Sequence, residues 1–278
     1  MAKRALLIGI NKYQIAGADL RGCVNDVEDV SAALVECYGF TKSDITVLTD
    51  GAATKKAMQA GMKALVRDSK KGDVAVIHYS GHGSNVPDDN GDESDGRDEI
   101  LCPTDLNWDD PLRDDWLRTT FDGLKEGVSL TVIMDCCHSG TNTRAFLPPD
   151  APIRQRYLPS PSSLRSAETG RSIPKVTSAI RRSTPAARKS KDIVKADLPE
   201  LLITGCRDTQ TSADAFINGR YNGALTYALV EAMRKGKGAL TYNQLHDRAS
   251  AVLKAKKFEQ VPQLEGRHDR FDSPLFSV

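Results

Sequence analysis

The stretch that decides the fold reads VAVIHYSGHG over residues 74–83. Its apolar part, Val74–Tyr79, predicts a β-strand, and this strand runs directly into a small-residue turn that contains His82. A second stretch, LTVIMDCCHSG over residues 130–140, has the same form, with a strand over Ser129–Met134 and a pair of cysteines after it. One strand end therefore offers an imidazole and the other a thiol.

Further strands and helices alternate along the chain on either side of these stretches. Strands are predicted at Ala5–Ile10, Ile45–Leu48, Leu201–Thr204 and near Val261–Leu264, and helices at Val24–Val35, Ala53–Val66, Gly223–Met233 and Tyr242–Ala255. Strands separated by helices pair in parallel and are covered by helices on both faces. The sequence thus predicts an α/β fold, a three-layer sandwich around a mostly parallel central sheet. Reactive groups gather at the carboxyl ends of such strands, so the imidazole and the thiol are expected to meet there.

The basic segment at residues 144–192 departs from this pattern. It holds seven prolines, and from Arg144 to Lys191 there are eleven Lys or Arg residues against two acids. Without apolar periodicity it is predicted to be a flexible surface insertion, although an ordered loop wrapped over the core is the alternative. The chain is then one domain, 1–278, in which the insertion separates residues 1–143, with both motifs, from residues 193–278.

Bulk properties narrow the class of protein. The 278 residues carry a net charge of +1, which argues against a dedicated nucleic-acid binder. The apolar run near the N-terminus, residues 5–10, is too short for a signal peptide, and no run approaches the ~18 residues of a membrane span. Six cysteines in such a chain are expected to be free thiols. The protein is therefore expected in the cytoplasm.

The two strand ends have a chemical interpretation and a structural one. A cysteine nucleophile needs a base or cation nearby to supply thiolate, and glycines beside His82 let a substrate backbone approach and offer N–H groups for an oxyanion hole. Taken singly, a cysteine is more often a buried small residue and a loop histidine a surface residue. Their joint placement favours catalysis, but spacing does not decide between Cys136 and Cys137. Zinc is disfavoured because adjacent side chains share one tetrahedral ion poorly.

The motifs resemble those of the metacaspases, in particular the small bacterial members. The resemblance is carried by YSGHG at residues 79–83 and DCCHSG at 135–140, and it extends to GCVND at 22–26, DGRDE at 95–99, CRDTQTSAD at 206–214 and QLEG at 263–266. Residues 4–140 and 198–278 are covered, and the basic insertion is not. The resemblance implies a caspase-like fold and a cysteine endopeptidase that cleaves after Arg or Lys.

Site roles follow from the resemblance residue by residue. The nucleophile directly precedes His-Ser-Gly, which selects Cys137, and the general base corresponds to His82. The backbone N–H groups of Gly83 and Cys137 correspond to the oxyanion donors, and no third, orienting carboxylate is evident. The residues matching the acidic pocket for the basic side chain are Cys23, Asp26, Ser80 and Asp135. A buried guanidinium needs such carboxylates to offset its desolvation. Without the resemblance, Asp26 would be interpreted as a helix N-cap.

Calcium is a further implication, since many metacaspases need it. Asp98, Asp114 and Asp115 match three of the usual oxygen ligands. The position at which the family has a fourth carboxylate falls near Arg144, so this chain departs from the family pattern there. The loop Asp88–Glu99 imitates an EF-hand at some positions, yet it has Glu93 where the turn needs glycine and no flanking helices. A solvated acidic loop is the alternative. No other cofactor is expected.

Several alternatives concern function as a whole. The insertion, rich in Arg and Lys, invites self-cleavage by an enzyme of this specificity; binding of nucleic acid or acidic lipid is the rival, poorly supported by its few aromatics. A catalytically idle caspase-like interaction module is the main alternative to an enzyme, and the retained dyad and pocket argue against it. A nucleotide-binding domain would need a glycine-rich turn after the first strand, where Ile10–Tyr13 has none. The expected partners are protein or peptide substrates, not nucleic acid or membrane, and the chain is expected to be a monomer.

Overall fold

A mostly parallel sheet forms the centre of the computed structural model, which describes residues 1–91, 93, 96–137, 153–169, 200–206 and 210–278. Its strands are β1 (Lys3–Gly9), β2 (Ile45–Thr49), β3 (Val74–Ser80), β7 (Ser129–Asp135), β9 (Glu200–Thr204) and β12 (Gln263–Glu265). In space they run β12-β9-β7-β3-β1-β2, and all neighbours are parallel except β12 with β9. The predicted α/β fold is confirmed.

Helices cover both faces of this sheet. They are α1 (Cys23–Tyr38), α2 (Lys55–Asp68), α3 (Asp114–Phe121), α4 (Pro161–Thr169), α5 (Ala224–Gly236) and α6 (Tyr242–Ala255). Alternate residues of β1 face opposite layers: Leu7 joins the core formed with α1, α5 and α6, whereas Leu6 and Ile8 join the core formed with α2 and α3. Burial on both faces is why the parallel strands are continuous apolar runs rather than alternating ones.

Helix boundaries follow local signals. Thr54 and Thr241 cap α2 and α6 by accepting hydrogen bonds from backbone N–H groups in the first turn. Helix α1 ends at Gly39, whose left-handed conformation favours glycine. The N-cap of α1 is Gly22, so Asp26 lies within the first turn and the N-cap interpretation of Asp26 is wrong.

Two small antiparallel sheets lie outside the main sheet. One contains β4 (Gly83–Pro87), β5 (Arg97–Leu101) and β6 (Leu112–Arg113); the other contains β8 (Ile153–Gln155), β10 (Ala213–Ile217) and β11 (Arg220–Gly223). β5 includes residues 97–99, so the end of the segment Asp88–Glu99, which was expected to be a loop, is a strand paired with β4. Sequence patterns missed these strands because they are short and pair locally at the rim of the sheet.

The basic insertion is partly ordered. Residues 153–155 form β8 and residues 161–169 form α4, so this part of residues 144–192 is not the flexible surface segment that was expected. The side chain of Arg156 is completely buried. The reason is electrostatic, since this arginine lies among buried carboxylates described below. The rest of the insertion, residues 144–152 and 170–192, lies outside the described residues.

No helix in the described part of the chain is long and apolar enough to cross a membrane.

Candidate active site

The two predicted motifs meet at the carboxyl ends of β3 and β7. These strands are parallel neighbours, and their register pairs Ser80 with Asp135. His82 and Cys137 each follow that last pair by two residues, so the chain leaves the sheet at the same place for both. Both side chains are buried. The residues His138, Ser139 and Gly140 of the second motif lie outside the described residues.

His82 is held by hydrogen bonds at its ring and at its backbone. Its Nε2 lies 2.7 Å from the carbonyl oxygen of Ala18, its backbone N–H donates to the Tyr13 hydroxyl over 2.8 Å, and its carbonyl accepts from the Tyr79 hydroxyl over 2.6 Å. A carbonyl only accepts, so Nε2 carries the hydrogen and Nδ1 keeps its lone pair. Nδ1 has no hydrogen-bond partner among the described residues. It is thus available as a proton acceptor.

Burial is the main influence on the protonation of His82. It lowers the pKa of the imidazole to about 4, outweighing the opposing effect of the hydrogen bond to Ala18. The ring is therefore neutral near pH 7, which is the form that a general base requires. The group that contacts Nε2 is a backbone carbonyl and not a carboxylate.

The structure separates the roles of the two adjacent cysteines. Cys136 packs in the core between the sheet and helices α2 and α3. Cys137 instead lies in the space at the carboxyl ends of β3 and β7, which we call the cleft. Its Sγ contacts the backbone N–H of Ser212 and lies 3.7 Å from the Ser212 carbonyl oxygen and 3.8 Å from the Sγ of Cys206. Burial, followed by the contact with Cys206, raises the pKa of the Cys137 thiol well above its ordinary value. The thiol is neutral in this state, so a base must take its proton before it can attack.

A segment of the chain itself crosses the cleft beside these groups. The carbonyl oxygen of Arg156 accepts hydrogen bonds from the backbone N–H of Gly83 (3.0 Å) and of Cys137 (3.2 Å). These are the two N–H groups that sequence reasoning assigned to an oxyanion hole. Both donors therefore converge on one peptide carbonyl of the chain itself.

The side chain of Arg156 fills a pocket lined by carboxylates. Its Nη2 lies 2.7 Å from Asp26 Oδ2 and 3.1 Å from Asp214 Oδ1, while its Nη1 lies 3.3 Å from Asp135 Oδ2. Nη1 also donates to the Ser80 hydroxyl over 2.7 Å. All three carboxylates are buried. Removal of an arginine from water is offset only by such pairing, so these contacts account for the complete burial of the Arg156 side chain.

Backbone and hydroxyl donors hold the pocket carboxylates in place. Asp26 accepts from the backbone N–H of Gly223 and from Ser80 and Asn222; Asp135 accepts from Ser212 and from the N–H and hydroxyl of Thr226; Asp214 accepts from the N–H groups of Arg21 and Gly22. These donors stabilise the negative charges independently of Arg156. Cys23, the remaining predicted pocket residue, lies near the guanidinium. Burial raises the pKa of its thiol well above the ordinary value, and the positive charge of Arg156 opposes this shift.

Sequence reasoning missed two residues of the pocket wall. Asp214 stands at the end of the CRDTQTSAD motif, so that motif could have identified it, although residues 207–209 of the motif lie outside the described residues. Gly223 carries no sequence signal. A Cβ added to it would lie 2.2 Å from Asp135 Oδ2 and 2.4 Å from Arg156 Nη1, so only glycine leaves room for the guanidinium.

The predicted metal ligands lie around the β5–β6 hairpin. Among the described residues, Asp88, Asp89 and Asp98 have carboxylate oxygens within 4.8 Å of one another, so Asp98 is the one predicted ligand that belongs to this group. Arg113 contacts Asp98 and, at 3.1 Å, Asp89. Asp114 begins α3, and burial, followed by the charge of Glu99, raises its pKa to about 7. Asp115 follows it and accepts a hydrogen bond from Asn90. An all-oxygen donor set of this kind suits a hard cation such as Ca²⁺.

A thiol and a neutral imidazole at neighbouring strand ends, beside an acidic pocket and two convergent N–H donors, define a caspase-like site on an α/β sheet. Comparison with known proteins agrees. The family model described as "Metacaspase, peptidase C14 domain" matches residues 3–145, and the chain belongs to this family.

Individual relatives support the assignment. The chain is 34% identical to Metacaspase-1A of Neosartorya fischeri, covering 96% of this chain and 65% of that protein. It is 33% identical to Metacaspase-1 of Coccidioides immitis, covering 96% and 62%. It therefore spans less than two thirds of the length of these two relatives. A Geobacter sulfurreducens protein of known crystal structure superposes with a TM-score of 0.70 at 28% identity, covering 100% of this chain and 99% of that one.

The buried His78 below the pocket provides a test of site electrostatics through stability. Burial lowers its pKa from 6.5 to about 4, so the unfolded state binds the proton first as pH falls below 6.5. His78 therefore has no effect on stability above pH 6.5, and it destabilises the folded state increasingly as the pH falls from 6.5 towards 4. We expect the free energy of unfolding of the wild type to fall relative to that of His78→Gln by about 1.4 kcal/mol for each pH unit in this window.

Urea unfolding of both proteins at pH 7.0, 6.0 and 5.0 measures this difference. Acids with a raised pKa, such as Asp114, act in the opposite direction. They are present in both proteins, so their effect cancels in the comparison. A difference that is independent of pH would contradict the prediction.

Proposed function

We propose that the protein is a cysteine endopeptidase that hydrolyses peptide bonds after Arg or Lys, with His82 as general base and Cys137 as nucleophile. The observation that carries this proposal is the position of Arg156: its guanidinium pairs with Asp26, Asp135 and Asp214 while its carbonyl accepts from the N–H groups of Gly83 and Cys137. An arginine and the bond that follows it are bound at once, as the proposed specificity requires.

The chemistry follows from these positions. Nδ1 of His82 takes the thiol proton, and the Cys137 sulfur attacks the carbonyl carbon of the basic residue. The negatively charged oxygen that forms accepts hydrogen bonds from the backbone N–H groups of Gly83 and Cys137. These donors are already aligned, so they need no reorganisation. His82 returns the proton to the departing amine, leaving a thioester. Water, deprotonated by His82, then hydrolyses the thioester and frees the thiol.

The pocket geometry favours Arg over Lys. The guanidinium spreads its contacts over three carboxylates and the Ser80 hydroxyl. A Lys ammonium is a compact charge on a shorter reach and satisfies fewer of these acceptors. Fluorogenic peptides ending in Arg, Lys or Asp test the proposal: the Arg peptide is expected to be turned over fastest. Faster turnover of the Asp peptide would overturn the pocket assignment, and no turnover of any peptide would favour an interaction module.

We also propose that the enzyme cleaves itself within the basic insertion. Support comes from the same segment, because an arginine of the insertion already occupies the acidic pocket. The substrates are then proteins or peptides with a basic residue before the cleaved bond, and neither nucleic acid nor membrane has a role. A monomer suffices for activity, since all of the site residues described come from one chain. The six free cysteines fit action in the reducing cytoplasm.

Calcium is proposed as an activating ligand of the acidic loop, with Asp98, Asp114 and Asp115 among its ligands. Arg113 now pairs with Asp98, so a cation has to displace that guanidinium. We expect Ca²⁺ to raise the thermal midpoint of Cys137→Ala, because a ligand that binds only the folded state stabilises it. Asp98→Asn is expected to remove this shift, and Asp247→Asn, a surface carboxylate elsewhere, to retain it. An unchanged midpoint at millimolar Ca²⁺ would exclude the site.

A further inference from the structure

The residues before Arg156 bind beside the pocket as an added strand. β8 pairs antiparallel with β10, so that Gln155 lies opposite Ala213 and Ile153 opposite Ala215. The backbone N–H of Arg156 continues the ladder by donating to the Ser212 carbonyl over 3.0 Å. Addition of an extended strand to a sheet edge is a common way for proteins to bind peptides. The segment thus lies as a peptide substrate would lie.

The residues after Arg156 are anchored on β4 and β5. The N–H of Leu158 donates to the Gly83 carbonyl over 3.0 Å, and the Leu158 side chain packs in a small core with Val86 and Ile100. Tyr157 is buried as well. The Arg156–Tyr157 peptide bond is therefore held from both sides, and its carbonyl is the one bound by the N–H groups of Gly83 and Cys137.

A second basic side chain of the segment has its own contact. The guanidinium of Arg154 donates to the backbone carbonyl of Asp19, in the loop that also supplies the Ala18 carbonyl to His82. This contact lies two residues before the bond in question. The cleft therefore binds a basic residue at two positions of an extended peptide.

The segment leaves no room for another substrate. The added Cβ at Gly223 would lie 2.5 Å from Arg156 Cζ, so the pocket is filled to its wall. A tethered segment competes at an effective concentration of order millimolar. A free peptide at micromolar concentration cannot displace it to a useful extent.

We infer, resting on the proposed endopeptidase activity, that residues 153–158 are a built-in substrate that blocks the cleft of the uncut chain and that the Arg156–Tyr157 bond is the first bond cut. Attack by the Cys137 sulfur on the Arg156 carbonyl breaks this bond, the Tyr157 nitrogen leaves with the proton from His82, and water releases Arg156 as a carboxylate. The new chain end at Arg156 can then leave the pocket and admit other substrates.

Mass spectrometry of the purified full chain over time tests the site of cutting. The wild type is expected to yield a fragment that ends at Arg156 and one that begins at Tyr157, and Cys137→Ala to stay intact. Arg156→Ala is expected to lose this pair of fragments, whereas the matched control Arg165→Ala in α4 should still produce it. First products with ends elsewhere, and none at Arg156, would overturn the inference.

Peptide turnover tests the block. Uncut wild type is expected to show a lag in hydrolysis of an Ile-Arg-Gln-Arg fluorogenic peptide that ends as the Arg156 fragment appears. Arg156→Ala, with an open pocket, should start without a lag and at least about tenfold faster than uncut wild type. Tyr157→Pro keeps Arg156 in the pocket but replaces the N–H of the bond; it should stay uncut at this site and slow, and it serves if Arg156→Ala fails to fold.

The possible failures are distinguishable. If neither the wild type nor any variant hydrolyses the peptide, the endopeptidase proposal fails. If the peptide is hydrolysed at full rate by the uncut wild type and by Tyr157→Pro, the protein is an endopeptidase and the built-in block is wrong.

Discussion

Replacing Cys137 with alanine is expected to lower kcat/KM for an arginyl peptide by at least about a thousandfold, because the group that forms the covalent intermediate is lost. The neighbouring variant Cys136→Ala should retain most of the activity, since Cys136 packs in the core below the cleft. The measurement is initial-rate kinetics on both purified variants.

The two cysteine variants control for each other, because each removes one buried thiol from the same strand end. Cys136→Ala is expected to cost stability, about 1 kcal/mol or somewhat more for a small cavity, without a comparable loss of activity. Thermal midpoints recorded on the same samples separate these effects. Loss of activity in Cys136→Ala together with full activity in Cys137→Ala would reverse the assignment.

Replacing Asp26 with alanine is expected to lower kcat/KM for an arginyl peptide by about 30-fold to several thousandfold. The physical reason is that truncation of one partner of a buried charge pair costs about 2–5 kcal/mol. Asp26 is completely buried and contacts the guanidinium at 2.7 Å. The effect should appear with arginyl and lysyl peptides alike, since both cations need the carboxylate.

Asp29→Ala is the matched control for this variant. It removes the same charge one helical turn further along α1, where Asp29 contacts Arg220 and Asn222 but not the guanidinium of Arg156. Alkylation of Cys137 by iodoacetamide, which needs no basic side chain, reports whether the thiol end remains intact in each variant. Equal losses in Asp26→Ala and Asp29→Ala would show that the effect belongs to the helix and not to the pocket.

Much of the fold could be predicted because the parallel strands are buried on both faces. Val74–Ser80 is buried along its whole length. Because helices cover both of its faces, the strand is a continuous apolar run that can be predicted from the sequence. The helix at Tyr242–Ala255 was likewise predicted at its observed bounds. The strands Gly83–Pro87 and Ala213–Ile217 were not, because they are short and pair at the rim of the main sheet rather than in its buried centre.

The site divides in the same way. The sequence predicted that the histidine motif and the cysteine motif lie close together, since the carboxyl ends of parallel strands meet at one edge of the sheet. The orienting carbonyl of Ala18 was not, because every residue has a carbonyl and only the tertiary structure selects one. Nor was the space beside Gly223, which depends on how closely β11 approaches Asp135.

By itself the sequence determined the layered α/β fold and, through the metacaspase resemblance, the family. Both could be predicted because the burial pattern of a strand or helix and the residues of a motif are local properties of consecutive residues. Only the tertiary structure decided that Cys136 belongs to the core and Cys137 to the cleft, that Asp214 joins the pocket, and that Arg156 lies within it. A basic segment rich in proline carries no apolar pattern of its own. Its position is set by three carboxylates that come from distant parts of the chain, and such long-range electrostatic pairing exists only after folding.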